Sequence, residues 1–362
     1  NVMTALQRHD RETAAVGIQT VVAQNPEHRL ALAARRALAL YDGDEASALS
    51  VTEELLVRFP DDVNLQLSKA ASLSVLGTRA QQLEWLTGLS ERAAAEPLVL
   101  VRYAQLLGQD GREAPQAMRL LQRALDRMPT DASAWSTCAD LLWDCARKDE
   151  AITCRRIAAC LSETNENHAI AYFRAVHFLG HTASGLEFLR ERVVRLGSKS
   201  SAPRMTLFNQ LEMLERTEEA FTFLDQALVE RPDDADLLLF AAEAKFRYAR
   251  IDEATALLAQ ADGRAKQAPW LRLSALLARE KDDIEAALTL AREALALEPL
   301  NLQHHRLIAQ MLARHKGRRQ AIARVHQGLG ALHHRRLDNQ RMAPQLRPPV
   351  GQMAPLVHAA AP

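Results

Sequence analysis

Aromatic residues are scarce in this 362-residue chain, which has 4 Trp, 4 Tyr and 9 Phe. Sheet cores draw heavily on aromatic and β-branched side chains. Here the apolar share is 48%, mostly Ala and Leu, which suits close-packed helices instead. Net charge is also lacking: 45 basic residues balance 45 acidic ones, so no global field draws the chain to nucleic acid or an anionic membrane. Lysine is rare, 7 against 38 Arg, a bias expected of a GC-rich bacterial coding sequence. No run of 18 uncharged apolar residues occurs, so no helix is expected to span a bilayer. The few cysteines, Cys138, Cys145, Cys154 and Cys160, lie together outside any secretory framework, and a reducing, cytoplasmic compartment is expected. The chain opens on Asn1 instead of Met, which leaves room for an upstream signal or anchor.

Catalytic motifs are missing as well. The sequence has no Walker loop, no dinucleotide glycine fingerprint and no nucleophile elbow, and Gly328-Leu-Gly330 is a fragment that follows no strand. The cysteine spacing lacks the Cys-x2-Cys knuckle of a zinc site. His177 and His181 stand one turn apart with no third ligand evident. The expectation is a non-enzymatic chain with no cofactor and no metal.

What the sequence does contain is a ladder of small residues. Ala14, Ala48, Gln82, Ala117, Ala151, Gly185, Ala220, Ala254, Ala287 and Ala321 follow one another at intervals of 33 to 35 residues, and all but one are Ala or Gly. Pro26, Pro60, Pro129, Pro232 and Pro299 each fall 12 residues after a rung. A fixed period near 34 marks a helical repeat array. Within a period the apolar spacing reads helix, turn, helix, stop: Leu30 to Leu38, a break at Asp42-Gly43-Asp44, then Ala48 to Leu56 and Phe59-Pro60. Asp61-Asp62, Thr130-Asp131 and Asp233-Asp234 follow prolines, where a short oxygen-bearing side chain caps the next helix. The rungs are small because two crossing helices approach closely only over a methyl group or a hydrogen. Gln82 breaks that rule, and its hairpin is expected to splay slightly.

These residues resemble the tetratricopeptide repeat family. The resemblance rests on Trp135, Ala139, Ala151 and Ala158; on Tyr103, Ala117, Leu121, Ala124 and Pro129; on Ala220, Leu224, Ala227 and Pro232; and on Ala242, Ala254, Leu258 and Ala261. It implies an all-α, right-handed superhelical solenoid of about nine to ten antiparallel hairpins over residues 1–327. Around 165–203 the pattern departs, with Gly185 as the rung, Phe173 and Phe208 in small-residue positions and a Gly197 to Ser201 linker, so a bend or hinge is expected there. From 328 to 362 the register is lost in a basic, proline-rich tail expected to be disordered.

By family register, the first helix of each hairpin lines a concave groove. The positions carried over are Arg102, Leu106, Asp140, Trp143, Asp144, Arg174, His177, Phe178, Asn209, Glu212, Glu243, Phe246, Arg247, Arg272, Arg279, Arg306 and Arg314. Trp143, Phe178 and Phe246 would anchor an extended peptide, and the arginines would pair with carboxylates or phosphates. The resemblance therefore implies a protein-interaction scaffold whose partner is a protein or peptide, with acidic character favoured by the arginine row. The Lys and Asn pattern of chaperone-tail clamps is missing. Two other classes stay open: the repeat region of a larger enzyme of glycosyltransferase or sulfotransferase type, and a periplasmic envelope factor for secretion or exopolysaccharide assembly.

Overall fold

The computed structural model describes residues 11–24, 28–91, 96–299 and 301–315, and among them every regular element is helical. The chain divides between Arg58 and Phe59 into two compact units. The first contains α1 (Arg11–Gln24), α2 (Arg29–Tyr41) and α3 (Glu45–Arg58). The second runs through α4 (Val63–Leu76), α5 (Arg79–Ser90), α6 (Pro97–Leu107), α7 (Ala114–Arg127), α8 (Ala132–Asp144) and α9 (Lys148–Leu161). It continues with α10 (Glu166–Phe178), α11 (Thr182–Leu196), α12 (Ala202–Met213), α13 (Thr217–Glu230), α14 (Ala235–Arg247) and α15 (Ile251–Gln260). The last described helices are α16 (Gln267–Glu280), α17 (Ile284–Leu297) and α18 (Leu302–His315). From α2 to α17 they pair as eight antiparallel hairpins, one per sequence period. The tail and Ala321 lie outside the described residues.

The ladder sits where the hairpins cross. Ala48, Ala117, Ala151, Ala220, Ala254 and Ala287 are all fully buried. In three hairpins the rung faces a second buried alanine twelve residues earlier: Ala139 with Ala151, Ala242 with Ala254, and Ala275 with Ala287. Gln82 is buried too, and its Nε2 donates to the Ala70 carbonyl at 2.9 Å, which satisfies an amide that would otherwise be costly there. Its hairpin, α4–α5, is the most loosely apposed of the eight. The larger side chain is the physical reason.

The hairpin turns follow a second ladder that residue type conceals. Gly43, Ala146, Gly180, Glu215, Ala249 and Asp282 all have positive φ, between 58° and 84°, and each stands five residues before its rung. The residue after each one donates its N–H five residues back, as Arg147 does to Leu142 at 2.9 Å and Arg250 to Lys245 at 3.0 Å. This is the Schellman closure, which satisfies carbonyls left open at the end of the first helix. Four of the six positions carry a Cβ in a conformation that costs L residues about 1–2 kcal/mol. Ala146→Gly, Glu215→Gly and Ala249→Gly are each expected to stabilise the chain by about 0.5–1 kcal/mol. Thermal melts followed by circular dichroism would show a rise in Tm, and a fall would rule out the left-handed closure.

The helix starts agree with the proline-linked acids. In each pair it is the second residue that caps: Asp62 accepts from Asn64 and Leu65, Asp131 from Ala134, and Asp234 from Leu237. At α9 and α15, two of the starts without such a cap, the first turn carries an i,i+3 pair instead, Arg147 with Glu150 at 2.6 Å and Arg250 with Glu253 at 2.5 Å. The hydrogen bond from the arginine holds each of these carboxyls below the ordinary carboxylate range.

Residues 165–203 achieve closeness by a different distribution of volume. Phe173 occupies the column that is Ala139 in the preceding hairpin and Phe208 in the following one, and is fully buried. Gly185 makes room for it: a Cβ built there would lie 2.9 Å from the Phe173 ring and 2.7 Å from Val176 Cγ2. The end of α11 has no proline stop. Two guanidiniums close it instead, Arg204 Nη1 donating to the Gly197 carbonyl at 2.5 Å and Arg231 Nη1 donating to the Gly197 and Ser198 carbonyls at 2.9 Å.

Candidate functional site

The register places Trp143 in the last turn of α8 and Phe178 at the end of α10, one repeat apart. The structure brings them together. Their ring centroids are 5.4 Å apart at 64°, an edge-to-face pair. Trp143 is half-buried, while Phe178 is 66% exposed and is the most exposed aromatic side chain described. Lys148, at the start of α9, holds its Nζ 4.7 Å from the Phe178 ring centre and 5.4 Å from that of Trp143. Sequence reasoning passed over this lysine because it stands on a second helix, outside the first-helix register. Arg155 lies 5.8 Å from the Trp143 ring centre and donates to Asp140 Oδ1 at 2.9 Å.

The surrounding predicted residues divide into free and engaged groups. Asp144, Arg174 and Asn209 are exposed and make no polar contact among the described residues. His177 is half-buried: its ring stacks parallel to Phe173 at 5.9 Å and its Nδ1 lies 2.8 Å from Thr182 Oγ1, so it belongs to the hairpin more than to the surface. Arg102 donates to Gln105, which donates in turn to Thr137 and links α6 to α8. Leu106 is buried in the core.

The arginine row is largely neutralised. Arg272 donates to both Glu243 oxygens, at 3.0 and 3.1 Å, and joins α14 to α16. Arg247 donates to Glu212 at 3.0 Å and joins α12 to α14. Arg279 is paired with its neighbour Glu280. Partly exposed pairs of this kind contribute about 0–1 kcal/mol each, and the Arg272–Glu243 and Arg247–Glu212 pairs link successive first helices. Arg306 is exposed and unpaired among the described residues. The side chain of Arg314 lies outside them. Trp143 and Phe246 are both half-buried and each packs against a core cluster, so of the three aromatic anchors Phe178 is the exposed one.

Charged groups that the register did not single out are buried elsewhere in the second unit. Lys245 is 2% exposed and reaches Asp225 at 2.6 Å and Glu253 at 3.2 Å, with its Nζ 5.0 Å from the Phe221 ring centre. Arg192 is 1% exposed and is described below with its partners. Among the described residues no group of three metal-ligating side chains converges, and no helix is long and apolar enough to cross a membrane.

Residues 213–279 match the tetratricopeptide repeat family, a span that runs from the end of α12 into α16. A search of curated proteins found no match. Among solved structures, the chain is similar to a tetratricopeptide repeat protein from Parabacteroides merdae at 14% identity, over 72% of this chain and 98% of that one, with a TM-score of 0.42. It is also similar to yeast Tom70, at 14% identity over 95% and 96% of the two chains, TM-score 0.39. A chain of the APC/C hetero-tetramer Cut9-Hcn1 is 18% identical over 86% of this chain, TM-score 0.39, and this chain spans 63% of its length. Superpositions this loose say nothing of what the chain binds.

Proposed function

Starting from tetratricopeptide repeats at 213–279 and hairpins of the same period on either side, we propose that this chain is a non-catalytic scaffold that binds an extended segment of another protein. The segment lies across the ends of α8 and α10. The observation that carries this reading is the Trp143–Phe178 pair, in which the 66% exposed Phe178 ring stands edge-to-face with Trp143 under the Lys148 ammonium, while Arg155 lies on Trp143. Rigid aromatic side chains supply contact area at little entropic cost and dominate interface energetics. Among the described residues Lys148 and Arg174 have no carboxylate partner, and Asp144 is the one unpaired acid among the predicted residues of α8 and α10. The free charge favours an apolar anchor flanked by acidic residues.

Displayed random peptides selected against the immobilised full chain test this directly. Enriched peptides are expected to carry an apolar residue next to acids and to bind Phe178→Ala at least about tenfold more weakly, a loss of about 1.4 kcal/mol. The substitution touches an exposed side chain, so circular dichroism should not change. Selected peptides that bind Phe178→Ala and Arg174→Glu as tightly as the unaltered chain would overturn the assignment.

A further inference from the structure

The α8–α9 hairpin carries all four cysteines, and the structure separates them into two kinds. Cys145, capping α8, and Cys160, near the end of α9, are exposed. Cys138 and Cys154 are buried and face each other across the hairpin, with their Sγ atoms 3.9 Å apart. Facing is a property of the register here. One repeat later, 34 residues on from each, the same two positions hold Tyr172 and Phe188, whose ring centroids are 4.7 Å apart. The two cysteines therefore replace a cross-hairpin contact with a pair of thiols.

We propose that Cys138 and Cys154 are a redox modification site, closing to an intra-hairpin disulfide when the chain meets a small peroxide oxidant. A disulfide bond is about 2.05 Å long, so the sulfurs must approach by roughly 2 Å, within reach of rotation about the cysteine side-chain bonds and small helix shifts. The thiolate of one cysteine attacks hydrogen peroxide and breaks the O–O bond, giving a sulfenic acid and hydroxide. The second sulfur attacks the sulfenic sulfur, the S–S bond forms, and the S–O bond breaks to release water. In sum, two thiols are oxidised and one peroxide is reduced to two waters. Contact between the sulfurs also shifts the pair apart in acidity. It is the largest cause in both cases, bringing Cys154 below the ordinary thiol value and pushing Cys138 above it, while burial raises both. The product ties α8 to α9 in the hairpin that carries Trp143.

The experiment exposes the folded full chain to hydrogen peroxide, denatures it, alkylates the remaining thiols and maps the peptides by mass. The expected product is a Cys138–Cys154 cross-linked peptide lighter by two hydrogens. It should revert with dithiothreitol and form equally in a Cys145→Ser/Cys160→Ser chain. Recovery of Cys138 and Cys154 as alkylated thiols or sulfinic acids would overturn the proposal, and so would a bridge from either of them to an exposed cysteine.

Discussion

Arg192→Ala is expected to destabilise the second unit by about 3–5 kcal/mol, the usual consequence of removing one partner from a buried ion pair. Arg192 lies near the end of α11 and is 1% exposed. Its Nη2 donates to Glu166 Oε1 at 2.7 Å and to the Glu163 carbonyl at 2.8 Å, and its Nη1 approaches the Ala159 carbonyl at 3.4 Å. Those carbonyls belong to the end of α9 and the loop after it, so one guanidinium from the following hairpin closes the preceding one. Truncation would leave Glu166 without its partner, although its Oε2 already has none, and would return two carbonyls to an unsatisfied state. The cost should be local, because repeat arrays lose all-or-none cooperativity. Hydrogen exchange should therefore quicken most in α9, α10 and α11. Arg192→Met paired with Glu166→Gln removes charge from both sides and is expected to recover much of the loss; if the double variant is as unstable as Arg192→Ala, packing volume and not charge is what Arg192 supplies.

Gly185→Val is the second large effect, expected at about 1–3 kcal/mol or more from overpacking. The first added carbon would already lie 2.7 Å from Val176 and 2.9 Å from the Phe173 ring, and neither can move freely in a fully packed hairpin. Even Gly185→Ala should destabilise, against the roughly 1 kcal/mol that helix propensity alone would return. Phe173→Ala by itself leaves a cavity and costs about 3–5 kcal/mol. The double variant Phe173→Ala/Gly185→Ala restores the alanine pair of the neighbouring hairpin and is expected to cost less than the sum of its parts by about 0.5–3 kcal/mol. Urea titrations of the four chains give that coupling. Strict additivity would show that the ring and the glycine do not compensate each other.

Much of this was legible beforehand, for a specific reason. A period near 34 with one small residue per period leaves few ways to pack, because only stacked hairpins bring those positions to a crossing point. The helix starts after Pro60, Pro129 and Pro232 were legible from their acids, and Trp143 and Phe178 from the register. Arg192 was also visible in principle. It stands in a column that reads Ala124, Ala158, Ala227, Ala261 and Ala294 in other repeats, and a lone arginine among buried alanines implies a buried charge with partners.

The turn ladder was not legible, because Ala146, Glu215, Ala249 and Asp282 give no residue-type signal for a left-handed conformation that the crossing helices impose on them. Nor was the fate of the arginine row. A register assigns a side chain to a face, but whether Arg272 is free or held by Glu243 depends on distances across repeats. The same limit applies to Cys138 and Cys154. The amino-acid sequence by itself determined the helical class, the repeat length and the positions that had to be small, since these follow from backbone geometry and steric volume repeated at fixed intervals. Only the tertiary structure decided which charges are spent on neighbouring repeats, which aromatic residues face outward and which thiols meet. Each of those outcomes depends on a contact between residues 16 to 35 positions apart, and such contacts exist only once the hairpins are stacked.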